Sequence, residues 1–303
     1  MNASAEHHAT PFDPEWLDGQ YNNRALVPGY QAHFDCWIAE SARVRRERHC
    51  LLDLAYGFDA GETLDVFPAR PAKNGGLAPV LVFIHGGYWR SLDKADHSFV
   101  AEHFARQGVC VVVPNYALCP AVSVTDICLQ MVRAVAWVYR NVEVHGGDPR
   151  RITVAGHSAG GHLAAMLVSA LWPQVAADLP VSVVRNALSI SGLFDLEPLR
   201  HTPFVRDSLR LTSDEARKVS PAGFGAPPLW QEAGGVRGTL ACVVGGDESG
   251  EFLRQNALLR QAWGQQAVPV CEALPGLNHF SVLEALADPR HRLHRIALSL
   301  LRA

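Results

Sequence analysis

The sequence predicts an α/β protein: a mostly parallel central sheet of about eight strands with helices on both faces. Three observations predict it. Short apolar runs without polar alternation recur at Val80–Ile84, Val109–Val113, Arg151–Ala155, Asn186–Ser191, Leu240–Gly245 and Val268–Leu274. Such runs are the mark of strands buried on both faces. Stretches with helical apolar spacing separate them, at 94–107, 121–144, 158–172, 251–264 and 289–301. These supply the crossovers that parallel strands require. The chain has 303 residues, 48% of them hydrophobic, enough for one large core.

The remaining elements follow in order. Residues 1–20 are polar and Pro-rich and read as a loosely held arm. Residues 29–46 have the spacing of a helix. Cys50–Ala55 and Glu62–Phe67 read as two early strands, followed by a Gly-rich break at Ala72–Gly76. Pro173 is expected to stop the helix that starts at 158. Residues 192–238 break the rhythm with Pro, Gly and Arg, and read as an insertion or cap beside the strand ends. Residues 1–303 are thus expected to form a single domain, with 1–50 and 192–238 as the segments that could cover a site.

Composition excludes several classes. The formal net charge is −3 and the pI about 6.5, without the basic excess of a nucleic-acid binder. There is no apolar stretch of transmembrane length and no cationic start followed by an apolar run, so neither a membrane nor a secretory route is expected. Seven scattered cysteines without a C-x-x-C pair read as free thiols in the cytoplasm. Cys110, Cys242 and Cys271 lie in strand-like runs and read as small buried hydrophobes.

The chemistry concentrates in four places. Gly156-His157-Ser158-Ala159-Gly160 is a G-x-S-x-G sequence between an apolar strand and a small-residue helix. That context makes Ser158 a nucleophile on a tight turn. Val80–Ile84 runs into His85-Gly86-Gly87-Tyr88-Trp89. Glycines there let backbone N–H groups approach a substrate carbonyl. The oxyanion hole is therefore assigned to Gly86 or Gly87, with Tyr88 as a further donor, together with Ala159. His85 precedes the serine and reads as a brace for this loop.

Downstream, Leu240–Gly245 ends in Gly246-Asp247-Glu248, and Val268–Leu274 leads to Asn278-His279-Phe280. The chain order serine, acid, histidine makes His279 the base and Asp247 the acid. Glu248 is the alternative acid, and Asp195 after the strand at 186–191 a further one. No zinc-type Cys/His set is seen, so no catalytic metal is expected.

These blocks resemble the kynurenine formamidase (arylformamidase) branch of the α/β-hydrolases. The resemblance rests on HGGYW (85–89), GHSAGGHL (156–163), SGLFDLEPL (191–199), GDESGEFLRQ (246–255), NHF (278–280) and an early YNNR (21–24). It implies the triad Ser158, Asp247, His279, no cofactor, and hydrolysis of N-formyl-L-kynurenine to kynurenine and formate. For that substrate Tyr88 and Trp89 are candidates for a wall against the aryl group, and Arg24 or Arg90 for a cation facing its amino-acid end. A carboxylesterase acting on short acyl esters is the rival within hydrolases. A non-catalytic binding protein on the same fold is the rival outside them. The expected partner is a small-molecule substrate, and a homodimer is the candidate assembly.

Overall fold

A computed structural model describes residues 12–69, 75–232 and 235–303. Most of the Gly-rich break and the first part of the N-terminal arm lie outside these. The rest of the arm is structured. Asp13 caps α1 (Pro14–Tyr21) by accepting from the Trp16 N–H, Pro14 presets the first turn, and Leu17 and Tyr21 are buried. The expectation of a loose arm through residue 20 is therefore corrected. Two apolar anchors one helical turn apart hold this piece down. Helices α2 (Asn23–Leu26) and α3 (Tyr30–Glu47) follow.

Strands β1 (Leu51–Ala55), β2 (Thr63–Phe67) and β3 (Ala78–Ile84) begin the sheet. A 3-10 turn (Lys94–Val100) and α4 (Ala101–Arg106) connect β3 to β4 (Cys110–Pro114). Helix α5 (Val124–Asn141) starts at a reciprocal capping box between Ser123 and Asp126. Then come β5 (Gly147–His157), α6 (Ala159–Val168), α7 (Trp172–Val175) and β6 (Asn186–Ile190). Pro173 does not stop α6. It sits in the first turn of α7, where a proline costs no hydrogen bond.

Residues 192–238 contain α8 (Pro203–Leu209), α9 (Ser213–Lys218) and a two-stranded ribbon, β7 (Trp230–Glu232) with β8 (Gly235–Arg237). The chain then returns as β9 (Thr239–Gly245), α10 (Gly250–Ala267), β10 (Cys271–Leu274), α11 (Ser281–Ala287) and α12 (Arg292–Arg302). The expected end of α10 at Gly264 coincides with a φ of 80° inside it.

The large sheet has eight strands in the order β1-β2-β4-β3-β5-β6-β9-β10, antiparallel at β1/β2 and β2/β4 and parallel elsewhere. Period-two alternation divides its core. Val80, Val82, Ile84, Val112 and Val154 face α5, α6 and α10. Leu81, Phe83, Val111, Ala155 and Val243 face α3, α4, α11 and α12. The strand order reverses about β3, between β4 and β5. That is where such sheets open a crevice at their carboxyl ends, and the serine and glycine loops leave β5 and β3 there. Among the described residues, no helix is long and apolar enough to cross a membrane.

Candidate active site

Ser158 sits between β5 and α6 with φ 57° and ψ −117°, a conformation that L-residues rarely adopt. Such strain is of the order of 1–3 kcal/mol and persists where the surroundings enforce it. The surroundings are visible here. A side chain at Gly156 would overlap the Gly160 carbonyl, and one at Gly160 would overlap the Ile84 carbonyl at the end of β3. The two glycines thus let strand, turn and helix approach closely enough to fold the serine outward. Ser158 Oγ is buried and without a hydrogen-bond partner.

The His85–Trp89 loop lies against this turn. A Cβ placed on Gly86 would fall 2.8 Å from the His157 carbonyl oxygen and 3.1 Å from Ser158 Cβ. Tyr116 Oη donates to the His85 carbonyl at 2.9 Å and stacks on the His85 ring, with centroids 4.3 Å apart. His85 Nδ1 lies 2.8 Å from the Gly86 carbonyl oxygen. Both carbonyls are thus held on one side. In trans peptides this turns the Gly86 and Gly87 N–H groups to the other side. Gly87, with φ 104°, lines the cavity described below. Ala159 opens α6, and its N–H has no partner within the helix.

His279 Nδ1 lies 2.6 Å from Glu248 Oε2, and both side chains are buried. The carboxylate accepts the Nδ1 proton, which leaves Nε2 as the basic nitrogen. Glu248 Oε1 also accepts from the Gly245 N–H at 2.7 Å and from Ser191 Oγ. The buried charge is therefore fully hydrogen-bonded, as it must be to persist. The assignment of the acid to Asp247 is corrected by this geometry. Glu248 N–H closes a turn onto the Gly245 carbonyl at 3.2 Å, bringing its side chain back over the sheet end. Asp247, one residue earlier on the outside of that turn, is exposed and accepts only from the Gly276 N–H at 3.2 Å. Asp195 accepts from Glu197 N–H and lies 3.9 Å from Arg254.

His157 Nε2 donates to the His279 carbonyl oxygen at 2.7 Å, and the two rings are 4.7 Å apart. The elbow and the histidine loop are thereby tied together. Burial, then the nearby His279, hold the His157 imidazole well below its usual pKa, and so neutral. His162 Nε2 donates to the Val219 carbonyl at 2.7 Å, and burial lowers its pKa to about 4. Burial likewise lowers His97 to about 3 and depresses His85.

A stability prediction follows from these four histidines. Unfolded, each would titrate near 6.5. Below that pH the unfolded chain binds more protons than the folded one. Stability is full above about pH 6.5 and falls as pH drops toward 4, by about 1.4 kcal/mol per pH unit for each of His97, His157 and His162, with His85 acting in the same direction. Thermal melts should show a Tm lower by about 6 °C at pH 5.5 than at pH 7.5. An unchanged Tm would contradict neutral burial.

A cavity opens beside His279. Phe34, Trp37, Tyr88, Phe204 and Phe280 line it, together with Asn23, Arg24, Arg90 and Gly87. Tyr88 is thus a wall residue, its Oη donating to the Tyr21 carbonyl at 2.6 Å. Trp89 is not. It is fully buried, edge-on to His162 at 5.0 Å, and its proposed substrate contact is corrected to core packing. Both candidate arginines reach the cavity. Sequence reasoning missed Phe34, Trp37, Phe204 and Phe280, because nothing local distinguishes them from core aromatics. For Asn23 the signal was the YNNR block.

Comparison with known proteins agrees with this architecture. The family profile BD-FAE matches residues 64–175. The chain is 30% identical over 273 residues to the kynurenine formamidase of Salmo salar, covering 89% of this chain and 88% of that one. It is 32% identical over 273 residues to esterase LipC of Mycobacterium tuberculosis, covering 81% of this chain and 63% of the relative. A crystal structure from Silicibacter sp. tm1040, described as a candidate thioesterase, superposes with a TM-score of 0.77 at 31% identity, over 95% of this chain and 99% of that one. Esterase B of Lactobacillus rhamnosis shares the fold, with a TM-score of 0.65 at 17% identity, over 93% and 94% of the two chains. The chain is a hydrolase of the α/β-hydrolase superfamily and belongs to its kynurenine formamidase-like branch.

Proposed function

We propose that the chain is an arylformamidase that hydrolyses N-formyl-L-kynurenine to L-kynurenine and formate, with Ser158, His279 and Glu248 as its catalytic groups. The observation that carries this reading is the aromatic wall. Phe34, Trp37, Tyr88, Phe204 and Phe280 surround a cavity that has His279 in its lining. A departing aryl amine must be protonated by that histidine, so an aromatic wall beside it suits an aryl leaving group. The kynurenine formamidase relatives in fish support the same substrate.

The steps use only groups of this chain and water. Ser158 Oγ attacks the formyl carbon while His279 Nε2 takes its proton. The oxyanion rests on the N–H groups of Ala159 and of Gly86 or Gly87. The C–N bond breaks, His279 returns the proton to the aryl amine, and a formyl-serine ester remains. Water, deprotonated by the same nitrogen, attacks that ester; the C–Oγ bond breaks, His279 returns the proton to Oγ, and formate leaves. Oγ has no hydrogen-bond partner in this structure, so the transfer needs Oγ and Nε2 to come within hydrogen-bond reach as substrate binds. The seven free cysteines support a reducing, cytoplasmic setting.

The test compares kcat/KM for N-formylkynurenine and 4-nitrophenyl acetate on one preparation. The expected result is preference for the formamide. An efficiency favouring the ester by orders of magnitude would make the chain a carboxylesterase instead, like the relative named esterase LipC.

A further inference from the structure

We propose that Arg24, Arg90 and Asn23 form a carboxylate-binding subsite in the wall of the aromatic cavity, which selects substrates carrying an anionic group away from the scissile bond. The proposal deepens the arylformamidase reading and rests on it for the identity of the natural substrate, though not for the subsite itself.

The cavity gathers hydrogen-bond donors and charge without a matching anion. Arg24 and Arg90 are both only partly exposed, and both line it. Arg24 Nη2 donates to Ser91 Oγ at 3.3 Å, and its guanidinium lies 5.4 Å from the Phe34 ring centre. Arg90 Nη1 donates to Ser208 Oγ at 2.9 Å, and its guanidinium lies 4.4 Å from the Phe204 ring centre. Among the described residues neither has a carboxylate partner. Hydroxyls and ring faces orient the two forks but leave their charge unneutralised. Burial and the charge of Arg24 depress the pKa of Arg90, as expected of two cations held close together.

Asn23 supplies an independent sign. It is 4% exposed, lines the same cavity, and its Nδ2 has no hydrogen-bond partner. A buried donor left unpaired is destabilising, and a ligand oxygen would satisfy it. The nearby carboxylates are engaged elsewhere. Asp18 accepts from Phe204 N–H at 2.8 Å, and Glu248 is held by His279, Gly245 and Ser191.

This assigns a purpose to the YNNR block. Tyr21 anchors it by donating to Glu251 at 2.6 Å and by accepting from Tyr88. Asn22 caps α2 by accepting from Ala25 N–H at 3.3 Å. The anchored turn then delivers Asn23 and Arg24 to the cavity. A carboxylate fits two planar forks bidentately, better than a neutral amide does.

The test measures binding by calorimetry, so it does not depend on turnover. The probes are 4-oxo-4-phenylbutanoate and its primary amide, which differ only in the charge of the terminal group. Wild-type protein should bind the acid at least about tenfold more tightly than the amide, with the gap shrinking as salt is added. Arg24→Gln and Arg90→Gln should each reduce the acid-over-amide preference by about tenfold, and Arg24→Lys should reduce it less. Equal affinity of the wild-type protein for acid and amide, or no binding of either at millimolar concentration, would overturn the subsite whatever the variants do. Intact preference for the acid without turnover of N-formylkynurenine would leave the subsite standing and defeat the arylformamidase reading alone.

Discussion

Ser158→Ala is expected to lower hydrolysis of any substrate by roughly 10⁴- to 10⁶-fold, while the protein stays folded. The size of the effect follows from the role: without Oγ no acyl-enzyme can form, and only the oxyanion donors and binding contacts remain. Stability should change little. Oγ makes no hydrogen bond, and the strained φ of 57° is enforced by the close approach of Gly156 to Gly160 and of Gly160 to β3. Steady-state kinetics and a thermal melt on the same variant check both halves. Wild-type turnover by the alanine variant would remove Ser158 from the mechanism.

The second large effect separates two adjacent carboxylates. Glu248→Gln should reduce kcat by about 10⁴-fold, because an amide N–H₂ facing Nδ1 would favour the imidazole tautomer that carries its proton on Nε2. That nitrogen could then no longer accept the serine proton. The shape of the side chain and its bond to the Gly245 N–H would both be kept, so the loss would report charge and tautomer rather than packing. Asp247→Asn should stay within several-fold of wild type, because Asp247 is exposed and holds only the Gly276 N–H. Kinetics of the two variants side by side decide it. The reverse ranking would restore Asp247 as the acid.

The features legible in the sequence are those with short-range causes. Unalternated apolar runs announced β3 to β6 and β9, because both faces of those strands are covered. The serine turn and the glycine loop were readable because close backbone approach demands glycine at fixed spacing. Chain order pointed to an acid and a histidine that meet, as Glu248 and His279 do.

The acid was displaced by one residue because a tight turn decides which of two neighbours returns to the sheet, and sequence does not encode that choice locally. Trp89 and Tyr88 are adjacent with similar backbone, φ 54° and 51°, yet one faces His162 and the other the cavity. Only the packing of the surrounding chain distinguishes them. Phe204 reaches the site from α8, within a segment whose lack of rhythm concealed its helices. Helix α1 was missed for a similar reason: eight residues with two buried anchors give too little pattern to read.

Activation of Ser158 through His279 by Glu248 is tested most directly by labelling with a fluorophosphonate probe followed by peptide mass mapping. The probe is expected on Ser158, at a rate that falls sharply in Glu248→Gln and is kept in Asp247→Asn. A label on another residue, or a Glu248→Gln protein labelled as fast as wild type, would contradict it.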